Sequence, residues 1–350
     1  MTRPSKVNLR KLAYGLIALF FFVLAIQLMK AGARGLAPQL EQAGLINSPL
    51  NGLGLGWLGA YFVLSGSPVA AAALGLFSGD ALDSFQTFMM INGSRMGASF
   101  IVLFIGFIYM LRGHEWKRSM SAGLLSMLTT WTTYIPAMAL GYALLSNGWL
   151  KRFQLSMTGE LVSAIDAVFD PLVAWITSWA PGLLVFVVGV GIIIVSFNLI
   201  DRALPELNLG RAGFGEAPRL LYRPLAMFIL GMAVTSLSMS VSVSLGLLVP
   251  LSARGYIRIE NVVPYIMGAN VTTFVDTLVV ALLMNNPAAF TIVLVQMVSV
   301  TIASLAILLV SYRRYERFLL GTAGAITHSR RNQTIFMLAM VGVPIVLLMI

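Results

Sequence analysis

Gly268-Ala269-Asn270-Val271-Thr272-Thr273 lies between a kinked apolar segment and the apolar run Val275 to Met284, which is itself interrupted by Asp276. A carboxamide, two hydroxyls and a carboxylate in nonpolar sequence are costly to keep in lipid. Polar groups at bilayer depth carry function by default, so a binding site is expected here.

The rest of the chain supplies the membrane. Of 350 residues, 58% are hydrophobic and 10% charged, and the mean hydropathy of +0.88 lies well outside the balance of a soluble domain. Without cysteine there is no disulfide framework, thiolate metal site or thiol chemistry. His114 and His328 fall in short basic stretches, which argues against a histidine metal centre or an intramembrane Ser-His dyad. No G-x-x-x-x-G-K-[ST] stretch is present, so ATP drive would need a partner, and the chain is not expected to be an enzyme. The net charge of +10 clusters at span ends, where it sets orientation, and does not suggest nucleic acid. Arg3, Lys6, Arg10 and Lys11 precede the first apolar run like the start of a signal peptide, but no small-residue cleavage site follows and Leu12 to Met29 is read as a retained anchor.

Runs long enough to cross a core of roughly 30 Å are Leu12 to Met29, Ser119 to Leu145, Gly182 to Ile200, Ala288 to Tyr312 and Gln333 to Ile350. Two regions read differently. Leu50 to Ile91 and Leu225 to Met267 are apolar but rich in Gly, Ser and Pro, and each is interrupted, at Gly79 to Asp83 and at Arg254 to Arg258. They predict re-entrant or broken helices, each followed by a short apolar helix, Ala98 to Leu111 and Val275 to Met284. Asp80, Asp83, Arg254, Arg258 and Glu260 at the interruptions read as solvated tips. Between Gly159 and Trp175, apolar residues recur with near-helical spacing, which predicts an amphipathic helix on the external membrane surface.

Placing the N-terminus in the cytoplasm puts sixteen Lys and Arg in the cytoplasmic segments 1–11, 112–118, 201–223 and 313–331. The external segments 30–48, 146–181 and 285–287 then hold only Lys30, Arg34, Lys151 and Arg152, which predicts an external C-terminus in a plasma (inner) membrane. The two broken regions superpose without a gap at an offset of 175, with nine identities over residues 49–93. Pro49 falls on Pro224, Gly56 on Gly231, Ser65 and Ser67 on Ser240 and Ser242, and Gly93 on Gly268, each copy ending at a Gly-centred break. Their leading spans run in opposite directions in this topology. The expected fold class is therefore an all-α polytopic membrane protein of two inverted repeats, each with a leading transmembrane helix, a broken hairpin and following helices. Its parts are a first repeat over 1–145, an external connector over 146–181, a second repeat over 182–312, and a cytoplasmic loop with a terminal transmembrane helix over 313–350.

The runs Ser240-Val241-Ser242-Val243-Ser244, Gly255-Tyr256-Ile257 and Pro264 to Thr273 resemble the type II sodium/phosphate cotransporter family, which carries Q-S-S-S in each repeat and ends the hairpin with G-A-N-I-G-T-T. Leu64-Ser65-Gly66-Ser67 and Gly93 to Ala98 look like worn copies of the same two motifs. The resemblance spans about residues 15 to 312 and is specific in the second half. It implies a secondary transporter of a small oxyanion, with phosphate as substrate, sodium as coupling ion and alternating access. Ser65, Ser67, Arg95, Ser240, Ser242, Asn270, Thr272 and Thr273 would bind substrate, and Ser65, Ser240, Asn270, Thr273 and Asp276 the cation. Taken singly, each hydroxyl is equally explained as a small residue that lets helices approach.

Leu64 and Met239 replace both motif glutamines, and Arg95 stands where the first-repeat asparagine would be. Its planar fork suits a tetrahedral oxyanion or a carboxylate. It can serve as ligand, pair with a carboxylate such as Asp276, or snorkel to the interface. Asp276 needs sodium, a proton or Arg95, and with a proton the coupling could run on protons. A different anion, a proton-coupled variant or a transport-dead scaffold or sensor of the same fold thus stay open, as do homo-oligomers and the role of Gln296.

Overall fold

The computed structural model describes residues 9–111, 116–149, 152–203, 223–246 and 259–350, and among these every regular element is helical. Among the described residues six helical stretches are long and apolar enough to cross a membrane, which makes the chain an α-helical membrane protein.

The longest pairing joins α1 (Leu9–Ala33) to α9 (Gly182–Ala203). Ser196 donates to the Ala18 carbonyl at 2.8 Å, while Gly189 lies against Ala25 and Met29, and Gly32 against Gly182 and Phe186. As residue numbers rise along α1 they fall along α9, so the two helices run antiparallel. Between them in sequence come α2 (Ala37–Gln42), α3 (Pro49–Val63), α4 (Gly66–Ser78), α5 (Ser84–Ala98), α6 (Phe100–Leu111), α7 (Trp116–Asn147) and α8 (Gly159–Thr177). The predicted amphipathic helix is α8, whose Phe169 is buried and packs 5.2 Å from the Phe20 ring of α1.

Local chemistry sets the ends of the broken regions. α3 opens with Pro49 in its first turn and Ser48 accepting from the Asn51 amide at 3.2 Å. It closes at Leu64, held left-handed at φ 52°, and α4 turns back from there. The turn from α4 to α5 is the predicted interruption, and Asp83 is a cap: its side chain accepts from the Phe85 and Gln86 amides at 2.7 Å, while the Asp83 N–H donates to Gln86 Oε1 at 2.8 Å. α10 (Pro224–Ser238) repeats the pattern, with Pro224 in its first turn and a left-handed Met239, φ 48°, before α11 (Val241–Gly246). The second predicted interruption, Arg254 to Arg258, lies outside the described residues.

The structure adds two bends to the predicted interruptions and corrects one sequence expectation. The chain also turns at Leu64-Ser65 and Met239-Ser240, positions with neither Gly nor Pro, where a left-handed residue makes the bend. Gly93 and Gly268 do not break their helices: they sit inside α5 and α12 (Ile259–Thr272), where backbones touch. A Cβ on Gly93 would meet the Leu53 carbonyl oxygen at 2.0 Å, and one on Gly268 that of Phe228 at 1.9 Å. A Cβ on Gly56 would likewise meet the Met90 oxygen at 2.0 Å, and one on Gly231 that of Tyr265 at 2.1 Å. Each contact in one half recurs 175 residues later in the other. The helices instead pause at Ser99 before α6 and at Thr273 before α13 (Phe274–Leu283).

α14 (Pro287–Ala306) continues through a π-helical turn, Ile307–Ser311, into α15 (Tyr312–His328). The expected loop at 313–331 is thus mostly helix: Arg313, Arg314 and Arg317 are exposed while Leu319 and Ala323 are buried, an amphipathic pattern. The whole stretch has 42 residues, about twice the 20 or so that cross a membrane core, and it bends at Ser311, whose φ of -135° is not helical. α16 (Arg330–Met349) then lies across α3, where Asn51 donates to the Leu348 carbonyl at 2.9 Å and Tyr61 to that of Met340 at 3.0 Å.

Candidate functional site

The tips of both hairpins meet at one small polar cavity. Ser65, Ser67 and Ser240 line it from the tips, Arg95 and Ser99 from the end of α5, Asn270 and Thr273 from the end of α12, and Thr130 and Tyr134 from α7. Its volume is about 30 Å³, room for a water molecule or a small ion. Arg95 stands midway along the apolar stretch Ser84–Ile105, and Asn270 near the middle of Asn261–Leu283, so both lie far from either end of a span.

Arg95 is 5% exposed and Asp276 3%. One guanidinium nitrogen donates to Asp276 Oδ1 at 3.0 Å and to Thr277 Oγ1, and the other donates to Ser67 Oγ at 3.0 Å. Thr277 in turn donates to Asp276 Oδ1 at 2.7 Å. The arginine Cζ lies 5.4 Å from the Phe274 ring centroid, and Nε is buried with no hydrogen-bond partner. Of the readings open for Arg95, the structure excludes the snorkel: it is an internal ion pair whose guanidinium also faces the cavity. A buried pair of this kind is held by its hydrogen bonds as much as by charge, since desolvation of two ions offsets most of their attraction. Asp276 reaches the cavity through Arg95 and does not line it.

Asn270 donates to Thr130 Oγ1 at 3.1 Å and its carbonyl accepts from Tyr134 at 3.2 Å, which locks α12 to α7 beside the cavity. Thr273 Oγ1 is buried without a partner. A buried hydroxyl with no hydrogen bond is costly, and Thr273 is one of the residues that line the cavity. Thr272 departs from expectation: it donates to the Met232 carbonyl at 3.0 Å, fastening α12 to α10, and lies off the cavity. The side chain of Ser242 lies outside what is described.

Four contributors escaped the sequence reading: Ser99, Thr130, Tyr134 and Thr277. The run Thr129-Thr130-Trp131-Thr132-Thr133-Tyr134 inside an apolar span was the available signal. Its hydroxyls bond mostly to carbonyls of the preceding turn, the commonest fate of Thr in a membrane helix, so their number alone did not single out Thr130. Gln296 lies off the cavity, 1% exposed, with neither carboxamide atom hydrogen-bonded.

The geometry can do two things. The first turn of α4 starts at Gly66 with no side-chain cap from Ser65, and like any helix start it has N–H groups without partners inside the helix and a positive dipole end, where Ser65 and Ser67 stand. Together with the guanidinium this is an anion-binding arrangement. The opposite wall offers the Asn270 side chain and the Thr273 hydroxyl, oxygen ligands of the sort a hard monovalent cation takes. Compared with protein-family models, with curated proteins and with solved structures, the chain matches none.

Proposed function

We propose that this chain is a secondary transporter of a small oxyanion, built as two inverted repeats and related to the type II sodium/phosphate cotransporters it resembles. The single observation that carries the reading is the Arg95–Asp276 pair at the meeting point of two re-entrant tips. Discontinuous helices whose ends converge at mid-membrane are the usual construction of a transporter site. Support for the inversion comes from α1 and α9: they occupy corresponding places at an offset near 175 yet pack antiparallel.

The ion pair supplies a coupling logic. With Asp276 on Arg95, the cavity is too small for a phosphate, so an oxyanion has to take the guanidinium from the carboxylate. That leaves Asp276 charged and buried, which is unfavourable unless a cation joins it. Anion binding and cation binding then favour each other by linkage, whichever cation arrives. Sodium would use the oxygens of Thr273 and Asn270 nearby, whereas a proton would sit on Asp276 itself. The replacement of both motif glutamines by Leu64 and Met239 supports the second reading, in which the substrate is another small anion and the partner ion a proton.

The test is uptake of labelled phosphate into proteoliposomes under imposed sodium or proton gradients, with Arg95→Ala and Ser67→Ala beside the wild type. Uptake driven by one gradient and lost in Arg95→Ala is expected. Wild-type uptake indifferent to both gradients refutes coupled phosphate transport, and full activity in both variants refutes the site.

A further inference from the structure

A second cavity, of about 300 Å³, opens among α6, α7, α15 and α16. Its walls are almost wholly apolar: Phe104 from α6, Leu124 from α7, and Phe336, Met337 and Met340 from α16. Only Thr327 and Gln333 bring polar atoms, and both stand where α15 turns into α16. That turn is firmly tied. Ser329 accepts from the Asn332 amide at 3.2 Å, the Asn332 side chain donates to the Ala325 carbonyl at 2.7 Å, and Gln333 donates to that of Thr327 at 3.3 Å. The same turn carries Arg330 and Arg331, both exposed, and no carboxylate among the described residues pairs with either.

We propose that this cavity binds an anionic phospholipid of the surrounding bilayer, with one acyl chain among Phe104, Leu124, Phe336 and Met337 and the phosphate on Arg330 and Arg331. The commitment to a lipid rests on shape and charge together. From Gln333 to Met340, α16 advances about 10 Å at 1.5 Å per residue, which gives the apolar trough the length of part of an acyl chain. The polar lining residues, Thr327 and Gln333, and the two exposed arginines of the same turn all stand at one end, as the amphipathic layout of a phospholipid requires. Basic pockets at the membrane face of neighbouring helices are suited to acidic headgroups, and arginine forks match phosphate oxygens. Because α16 also lies across α3, a lipid wedged beside it would brace the hairpin that carries Ser65, which links bilayer composition to the first cavity.

The experiment uses the purified full chain in neutral detergent and follows thermal melting while phosphatidylglycerol or phosphatidylcholine of identical acyl chains is added. Phosphatidylglycerol is expected to raise the melting temperature of the wild type at about tenfold lower mole ratio than phosphatidylcholine. Arg330→Gln with Arg331→Gln, both at exposed positions, should abolish that preference and leave the weak response to phosphatidylcholine. Met337→Trp, which fills the trough, should weaken the response to both. Equal stabilisation of the wild type by the two lipids reduces the cavity to an unspecific apolar pocket and overturns the proposal. So does a preference that survives loss of both arginines, or unaltered lipid response in Met337→Trp. Phosphate uptake enters none of these readings, so the lipid site stands or falls apart from the transport function.

Discussion

Replacing Asp276 by Asn tests the competition at the site most directly. The amide keeps the volume of the carboxylate and an oxygen to accept from Arg95 and Thr277, but it removes the charge that holds the guanidinium. Both partners are at most 5% exposed, so the change leaves an uncompensated buried cation, and removing one partner of such a pair costs about 3–5 kcal/mol. The same loss should favour an anion, which no longer has to displace a carboxylate. If about 3 kcal/mol of the pairing is what the anion must overcome, Asp276→Asn should bind phosphate about a hundredfold tighter than the wild type. The gain should come with loss of cation dependence, because no buried carboxylate awaits sodium or a proton. Equilibrium binding of labelled phosphate to the purified protein, with and without sodium and across pH 5 to 8, reads both effects. Thermal melting should show a less stable protein that phosphate restores. An Asp276→Asn protein that folds yet binds phosphate no tighter, or still needs the cation, refutes the displacement argument. The pair Arg95→Met with Asp276→Leu is the control: apolar residues of similar volume can replace a buried ion pair with little loss of stability, so this protein should fold and bind no anion.

Three further outcomes follow from the packing. Gly231→Ala and Gly268→Ala each push a methyl into a carbonyl oxygen at about 2 Å and should lower stability by about 1–3 kcal/mol or more in thermal melting, whereas Gly321→Ala and Gly324→Ala, in α15 with open space around them, should raise it by up to about 1 kcal/mol. Leu64→Gly relieves a left-handed residue whose side chain is half exposed, and chemical denaturation should find the protein neutral to about 1 kcal/mol more stable, while Leu64→Val should be destabilising. Tyr134→Phe removes the hydroxyl that donates to the Asn270 carbonyl, and a loss of about 1 kcal/mol in melting, with weaker substrate binding, is expected.

The membrane class was legible in the sequence because it rests on composition and on the length of the apolar runs. Hydropathy over twenty residues needs no tertiary knowledge, and two of the glycine pairs at an offset of 175 sit where backbones touch and a side chain is costly. Gly56 and Gly231, Gly93 and Gly268 are such positions: each meets a carbonyl oxygen of the neighbouring helix, in both halves alike. The serine tips were legible for a different reason, as small polar residues in apolar sequence with little else to do.

Only the tertiary structure decided what those polar groups face. Thr272 and Thr273 are neighbours in sequence, yet helical geometry turns one to the Met232 carbonyl and leaves the other unpartnered at the cavity. Thr130 and Tyr134 could not be told from the other hydroxyls of their run, because the Asn270 groups they meet lie 140 and 136 residues away. Arg95 and Asp276 are 181 residues apart, and a buried charge specifies that it must have a partner without specifying which. Sequence alone thus established the α-helical membrane class and singled out polar residues inside apolar segments. That the arginine of one half already holds the carboxylate of the other is a property of the folded chain, since only packing brings two such distant charges within 3.0 Å of each other.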